Sequence, residues 1–200
     1  ALRYFDQAKD VYSKDPGLSL AIYNGRGSAF KDLKRFPEAE AQYALALQTA
    51  RGMSSDFLVA LILSNVARVR LMQHDLPGAD RAISEGIALS EKPNAVAYHP
   101  LFQVLAAQSA FEHHRLQQAR TLIDARFRGV DLDKTELTDR DAHDIAYRVY
   151  SALGEDTLAL KHLAALKRLD DRATELAQSN SAALASAQFD FANQELRITK

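Results

Sequence analysis

The chain has 200 residues, and its 25 basic and 26 acidic side chains give a formal net charge of −1, which excludes the long-range positive field that attracts nucleic acid. Apolar residues make up 47% of the chain and cysteine is absent, so we expect a packed fold without disulfides or thiolate metal sites. Only 8 Gly and 5 Pro interrupt a composition rich in strong helix formers, which predicts an all-α protein.

The first 15 residues predict half of a repeat unit. Ala1, Phe5 and Ala8 have the same spacing as the apolar residues at 39, 43 and 46 in a later helix. The chain is therefore expected to start in the middle of a repeat, after an upstream piece has been removed. Asp15-Pro16-Gly17 then predicts a turn before the first complete unit.

An alanine recurs every 40 residues along the chain. The recurring alanines are Ala39, Ala79, Ala119 and Ala159. Four residues after each alanine comes a large apolar residue, and these are Tyr43, Ile83, Ile123 and Leu163. The i, i+4 spacing places both residues on one face of a helix. Pro37 and Pro77 suit the first turn of that helix, so the second helix of each unit is predicted to begin there.

A second amphipathic stretch precedes each of these helices, over residues 20–33, 57–72, 100–113 and 138–153. Small residues lie in the middle of the first three stretches, at Gly27, Ala67 and Ala107, where a neighbouring helix can approach closely. Tyr147 breaks this pattern in the fourth. We therefore predict four helical hairpins, which with the half repeat form one domain over residues 1–170.

The hairpin pattern resembles the tetratricopeptide repeat (TPR). Gly27, Phe30, Ala39, Tyr43 and Ala46 match, in order, the small and aromatic signature positions of that family. The resemblance implies a right-handed α-solenoid whose stacked repeats bury a continuous core and present a concave groove.

Later repeats depart from the signature. Arg70 and Ala110 stand at the aromatic position, and Arg126 and Leu166 stand at the second small position. The period of 40 residues also exceeds the family's usual period of about 34. Armadillo or HEAT helices are therefore the alternative interpretation.

After residue 170 the repeat stops, and residues 172–200 contain no Gly or Pro, which predicts one long helix in a second segment, 171–200. Seven positions follow the alternating steps of three and four residues of a coiled coil, namely Ala177, Asn180, Leu184, Ala187, Phe191, Gln194 and Ile198. The helix is expected either to cap the solenoid or to form a homodimer through Leu184, Ala187, Phe191 and Ile198.

Residues 187–196 resemble the exit helix of bacterial sensor proteins in which tetratricopeptide repeats precede a membrane span and a diguanylate cyclase (GGDEF) or histidine kinase domain. This resemblance implies a sensory input module, on the periplasmic side of the membrane by preference and in the cytoplasm as second choice. No apolar run in the chain reaches the roughly 20 residues of a membrane span, so we expect no membrane contact by this segment.

Three motifs suggest bound phosphate or metal, and each has a simpler explanation. Gly25-Arg26-Gly27-Ser28 lies inside a predicted helix, whereas a phosphate loop precedes one. The acidic run 131–136 lacks the central glycine of a calcium loop, so we interpret it as a solvated connection with Thr138 or Asp139 as N-cap. The adjacent His113 and His114 point in different directions and cannot readily share a metal ion.

His74 and His114 share a repeat position at the end of a first helix, where a partly protonated imidazole would interact favourably with the helix dipole. We found no motif that combines a nucleophile with a base. The chain is therefore expected to be non-enzymatic and to need no cofactor and no metal.

The concave groove of a tetratricopeptide solenoid is lined by non-core positions of the first helices. By resemblance these are Asn24, Ser28, Lys31, Asn65, Arg68, Gln108, Glu112, Asp144 and Arg148. Arg68 and Arg148 suit a peptide carboxylate and Asn65 suits a peptide amide. Apolar pockets are expected beside them at Leu61, Leu71, Phe111 and Ile145. The sequence thus favours a protein or peptide as partner; a structural adaptor acting through its outer surface and its last helix is the alternative.

Overall fold

The computed structural model describes the backbone of residues 15–198 and the side chains of residues 15–184. Within these ranges the secondary structure is helical, without strands, which confirms the predicted all-α class. The helices are α1 (Pro16–Asp32), α2 (Phe36–Gly52), α3 (Asp56–Met72), α4 (Leu76–Ser90), α5 (His99–Glu112), α6 (Leu116–Phe127), α7 (Arg140–Ala152) and α8 (Asp156–Ile198). The predicted half repeat, with Ala1, Phe5 and Ala8, lies outside the described residues.

The chain divides into two compact units between Arg128 and Gly129. In the first unit, α1 packs on α2, α3 on α4 and α5 on α6, and each hairpin also packs on the next one. Direct contacts join α1 to α3 and α3 to α5, so these three helices form a layer. In the second unit, α7 packs on α8, which also contacts two 3-10 turns, Leu132–Lys134 and Leu137–Asp139.

The turn inside each hairpin repeats the same backbone geometry every 40 residues. Lys34, His74, His114 and Gly154 all have positive φ, between 58° and 73°. The following residue closes the helix end with an N–H···O=C bond to the carbonyl five residues earlier, 2.9 Å long from Asp75 to Arg70. His74 and His114 therefore serve as left-handed turn residues. The sequence analysis predicted only that their imidazoles would interact with the helix dipole.

The helix starts differ from the predictions in two places. α1 begins at Pro16, four residues before the predicted start, because the Asp15 carboxylate accepts the amide of Gly17 at 2.8 Å and caps the helix. Asp139 precedes α7, but its carboxylate accepts the amide of Glu136 at 3.1 Å instead of an α7 amide. Asp139 is thus the N-cap residue of α7, as predicted, but its side chain makes no capping hydrogen bond to that helix. The second helices begin at Phe36 and Leu76, as their prolines predict.

The recurring alanines are buried in the core, as predicted, at Ala39, Ala79, Ala119 and Ala159. The small residues of the first helices are buried as well. A Cβ added to Gly27 would lie 2.5 Å from Cε1 of Tyr43, so the tyrosine ring needs a glycine on α1. The motif around Gly27 therefore belongs to helix packing and not to a phosphate loop.

The fourth hairpin departs from the repeat on its second helix. Tyr43, Ile83 and Ile123 are buried, whereas Leu163 at the equivalent position is 37% exposed. His162 is buried in its place, at 3% exposure. The expectation that Leu163 continues the buried apolar face is wrong. On α8 the residue three positions after Ala159, His162, faces the core, whereas in the other hairpins it is the residue four positions after the alanine.

Candidate functional site

A half-buried polar strip crosses the layer of α1 and α3. The Asn65 side chain donates a hydrogen bond from Nδ2 to Oδ1 of Asn24, 2.8 Å away. One turn further along α1, Ser28 Oγ lies 3.2 Å from the Tyr43 hydroxyl. Burial raises the pKa of Tyr43, and the nearby positive charge of Arg68 partly opposes this shift. Four groove residues predicted from two repeats therefore come together: Asn24, Ser28, Asn65 and Arg68.

The other predicted groove residues of the first unit extend this layer. Lys31 Nζ forms an ion pair with Asp32 at 3.2 Å. Gln108 lies half-buried on α5, and Glu112 on the same helix lies 3.9 Å from the exposed His74 ring. The layer thus offers amide, hydroxyl and charged groups of both signs.

In the second unit, the predicted groove residues Asp144 and Arg148 lie one turn apart on α7. Their carboxylate and guanidinium are 4.0 Å apart, at the limit of an ion pair. Both side chains are half-buried.

The predicted apolar pockets are wrong in two of four positions. Leu71 in the first unit and Ile145 in the second are both buried in the cores of their units. A side chain that fills a core cannot also line a groove. Leu61 and Phe111 are half-buried.

A cavity of about 300 Å³ between α2, α3 and α4 was not predicted from the sequence. Its apolar lining comes from Ala44, Leu47, Leu63, Val66 and Ala82. Two ion pairs cross its rim, Arg70 with Glu40 at 3.0 Å and Arg51 with Glu85 at 2.7 Å. Arg70 also donates to the carbonyl of Gly78 at 3.1 Å. The sequence signal for this site was Arg70 at the repeat position where the first repeat has Phe30.

A second polar cluster joins α4 to α5. The Asp80 carboxylate accepts a short hydrogen bond from the Ser109 hydroxyl and lies 3.0 Å from Nε2 of His113. Burial opposes ionisation of Asp80, but these two hydrogen bonds, together with nearby positive charge including that of Arg115, outweigh it and lower the pKa of the carboxyl group. Ser109 is buried and donates its proton to the carboxylate. The cluster therefore crosslinks two helices.

A buried chain of polar groups runs through the second unit. Nδ1 of His143 lies 2.9 Å from Nδ1 of His162, and Nε2 of His143 lies 2.9 Å from Oγ1 of Thr135. Arg168 Nη2 donates to the same Thr135 oxygen at 2.8 Å and to the carbonyl of Leu132 at 3.1 Å. Burial, and secondarily the charge of His143, lower the pKa of His162 to about 4.

This chain of groups revises the interpretation of the acidic run. Asp131, Asp133 and Glu136 are exposed, as a solvated connection requires, but Thr135 between them is buried. The segment is therefore anchored to α7 and α8 by a buried side chain, in addition to the contacts of its two 3-10 turns with α8. No sequence signal distinguished Thr135 from its neighbours.

Among the residues that the structure describes, no group of three or more His, Asp or Glu side chains could hold a metal ion. None of the described helices combines the length and the apolar character that crossing a bilayer requires. Comparison of the chain with protein-family models, with curated proteins and with solved structures gave no match.

Proposed function

We propose that this chain is a non-catalytic recognition module, a tetratricopeptide-like right-handed α-solenoid that binds an extended segment of a partner protein along the α1–α3–α5 layer. The observation that carries the proposal is the hydrogen bond between Asn24 and Asn65, 2.8 Å long, which places two amide side chains side by side across neighbouring repeats. By its resemblance to bacterial sensors, the module would act as the input region of a larger signalling protein such as a diguanylate cyclase.

Paired asparagines suit an extended peptide because each amide both donates and accepts. The bond between Asn24 and Asn65 uses one N–H of Asn65 and one oxygen lone pair of Asn24. The Asn24 amide group and the Asn65 carbonyl oxygen keep the capacity to bond a peptide carbonyl and a peptide N–H. Because the bond already orders both side chains, the peptide would not have to pay their ordering entropy again.

Charge beside the asparagines would add specificity. Arg68 lies one turn along α3 from Asn65 and close enough to Tyr43 to influence its pKa. Lys31 lies on α1, one turn beyond Ser28. A planar guanidinium binds a carboxylate through two parallel hydrogen bonds, so an acidic side chain or a C-terminal carboxylate on the peptide is the expected neighbour of these residues.

The test is selection of binders from a phage-displayed library of random linear peptides, followed by fluorescence anisotropy with one selected peptide. Asn65→Ala should weaken binding by about tenfold or more, while circular dichroism stays unchanged. Arg81→Ala is the matched control, because exposed Arg81 lines the α2–α3–α4 cavity instead of the polar strip. Full affinity of Asn65→Ala, or loss of binding in Arg81→Ala, would refute the proposed site.

A structural adaptor acting through its outer surface and its last helix is the second candidate, and one observation favours it. α8 continues as a single helix to Ile198, and its described side chains beyond residue 173 are exposed, with Leu184 at 61%. Ala187, Phe191 and Ile198, the other predicted dimer positions, lie outside the described side chains.

Sedimentation velocity over a concentration series tests a homodimer formed through this helix. The adaptor function requires association that Leu184→Glu abolishes, because a charge at a coiled-coil core position would be desolvated in the dimer. Glu175→Gln, on the same helix, is a control that should leave association unchanged. A monomer at all concentrations would eliminate dimerisation through α8.

A further inference from the structure

The cavity between α2, α3 and α4 owes its space to two alanines. Ala82 on α4 occupies the repeat position where the other hairpins have Gln42, Leu122 and His162. Ala44 on α2 is equally small, and both alanines line the cavity. Any of the larger side chains at position 82 would take up part of this volume. The small side chain of Ala82 therefore leaves room that a ligand can occupy.

The lining of the cavity suits a hydrocarbon group. Leu63 and Val66 line it from α3 and are buried, and Leu47 lines it from α2 and is half-buried. A ligand that covers these side chains removes apolar surface from water, which is favourable. The volume of about 300 Å³ lies at the lower end of the range of small-molecule sites, about 300–1,000 Å³. The space therefore fits one aromatic ring or a short alkyl chain.

Five ionic side chains line the cavity, and four of them are paired. The two pairs are Arg70 with Glu40 and Arg51 with Glu85. The fifth, Arg81, belongs to neither pair, and no hydrogen bond or ion pair joins it to the other residues that the structure describes. Because the charges within each pair cancel, Arg81 gives the lining one net positive charge. The charge of the site is therefore complementary to an anion.

Arg81 is the cation that a ligand can bind without breaking an existing contact. Its side chain is exposed, whereas Arg70 also bonds the carbonyl of Gly78 at 3.1 Å and lies 3.8 Å from Asp75. A planar guanidinium binds a carboxylate through two parallel hydrogen bonds. Arg81 directly precedes Ala82, so its positive charge is carried at the edge of the apolar lining. This combination suits a carboxylate joined to an apolar group.

We propose that this cavity binds a small organic acid whose aromatic ring or short alkyl chain lies on the apolar lining and whose carboxylate binds Arg81. Neither Asn24 nor Asn65 lines the cavity, so the site is separate from the polar strip. The proposal therefore goes beyond recognition of a peptide. The first unit would bind a small acid in addition to a partner protein.

An NMR titration of the full chain with 3-phenylpropionate at pH 7 tests the site. The acid should bind with a Kd of about 1 mM or lower, and it should shift the amide signals of Ala44, Val66 and Ala82. 3-Phenylpropanamide keeps the ring but carries no charge. It should bind about tenfold more weakly, because it cannot form the charge-assisted pair with Arg81.

Substitutions separate the contribution of the charge from that of the apolar lining. Arg81→Ala should weaken binding of the acid about tenfold and leave binding of the amide unchanged. Arg81→Lys keeps the charge but not the planar fork, so it should lose less affinity than Arg81→Ala. Ala82→Leu introduces the residue that the third hairpin has at this position and should weaken binding of both compounds about tenfold or more. If Ala82→Leu fails to fold, the two Arg81 variants still decide.

Asn65→Ala is the matched control and should leave binding of the acid unchanged, because Asn65 belongs to the polar strip. Equal affinity for acid and amide, full affinity of Arg81→Ala, or no amide shifts at about ten times the expected Kd would overturn the proposal. Shifts centred on Asn24 and Asn65 would place the acid on the polar strip and contradict it as well. Peptide binding is measured separately, and Arg81→Ala should spare it, so failure of one proposal does not imply failure of the other.

Discussion

Gly86 on α4 is a position where one added methyl group should destabilise the first unit. A Cβ there would lie 2.0 Å from Cε1 and Cζ of Phe102, whose ring is fully buried on α5. Comfortable carbon contacts need about 3.5 Å, so the ring would have to move by roughly 1.5 Å in a packed core. Overpacking of this kind costs about 1–3 kcal/mol or more. The higher helix propensity of alanine offsets about 1 kcal/mol of that loss.

We therefore expect Gly86→Ala to lower the free energy of unfolding by about 2 kcal/mol and the Tm by roughly 6 °C. Gly52→Ala is the matched control, because Gly52 is also helical and nothing lies within 4 Å of its added Cβ. That variant should gain up to about 1 kcal/mol. Thermal and urea unfolding followed by circular dichroism at 222 nm measure both variants.

A double mutant tests the cause of the Gly86→Ala loss. Phe102→Leu vacates part of the space that the new methyl group needs, so the two substitutions together should cost less than the sum of their separate effects. The packing argument would be refuted if Gly86→Ala were as stable as the unmodified chain. It would also be refuted if the free-energy change of the double mutant equalled the sum of the two single changes.

Five further substitutions test the repeat geometry through urea unfolding. His74→Gly should stabilise the chain and Gly154→Ala should destabilise it, each by about 1 kcal/mol, because both positions have positive φ, which glycine adopts without strain. If both substitutions shifted the free energy of unfolding in the same direction, this explanation would be contradicted. Leu163→Ser should cost about 1 kcal/mol, because the Leu163 side chain is already 37% exposed, whereas Ile123→Ala should cost about 2–5 kcal/mol; equal costs would restore the regular register. Arg70→Met should cost about 1–2 kcal/mol through its lost hydrogen bonds, and an unchanged midpoint would show that they contribute little.

The hairpins could be predicted from the sequence because their determinants are local. Apolar spacing at i and i+4 selects one helix face, and Pro37 and Pro77 mark helix starts that the structure reproduces within one residue. The left-handed turns share the same 40-residue register but could not be predicted as a set, since lysine carries no signal for positive φ and histidine only a weak one. Hydrogen bonds at the helix end impose that conformation on Lys34, His74 and His114.

The sequence could predict which residues occupy groove positions, but not which of their side chains contact one another. The repeat register places Asn24 on α1 and Asn65 on α3 at equivalent positions. Whether their amides meet depends on how closely the two helices pack, and that distance is set by the core between them. The same packing buried Leu71, which the sequence had assigned to a pocket.

By itself the sequence determined the helical class, the 40-residue period and the alanines that carry the core, because each follows from spacing within one helix. Only the tertiary structure decided that α8 buries His162 and exposes Leu163. Hydrophobicity favours the leucine, but a buried imidazole is acceptable once it has a hydrogen-bond partner. That partner, His143, lies on another helix and is held by Thr135 from a third segment, so the choice arises from contacts between distant residues that no local pattern contains.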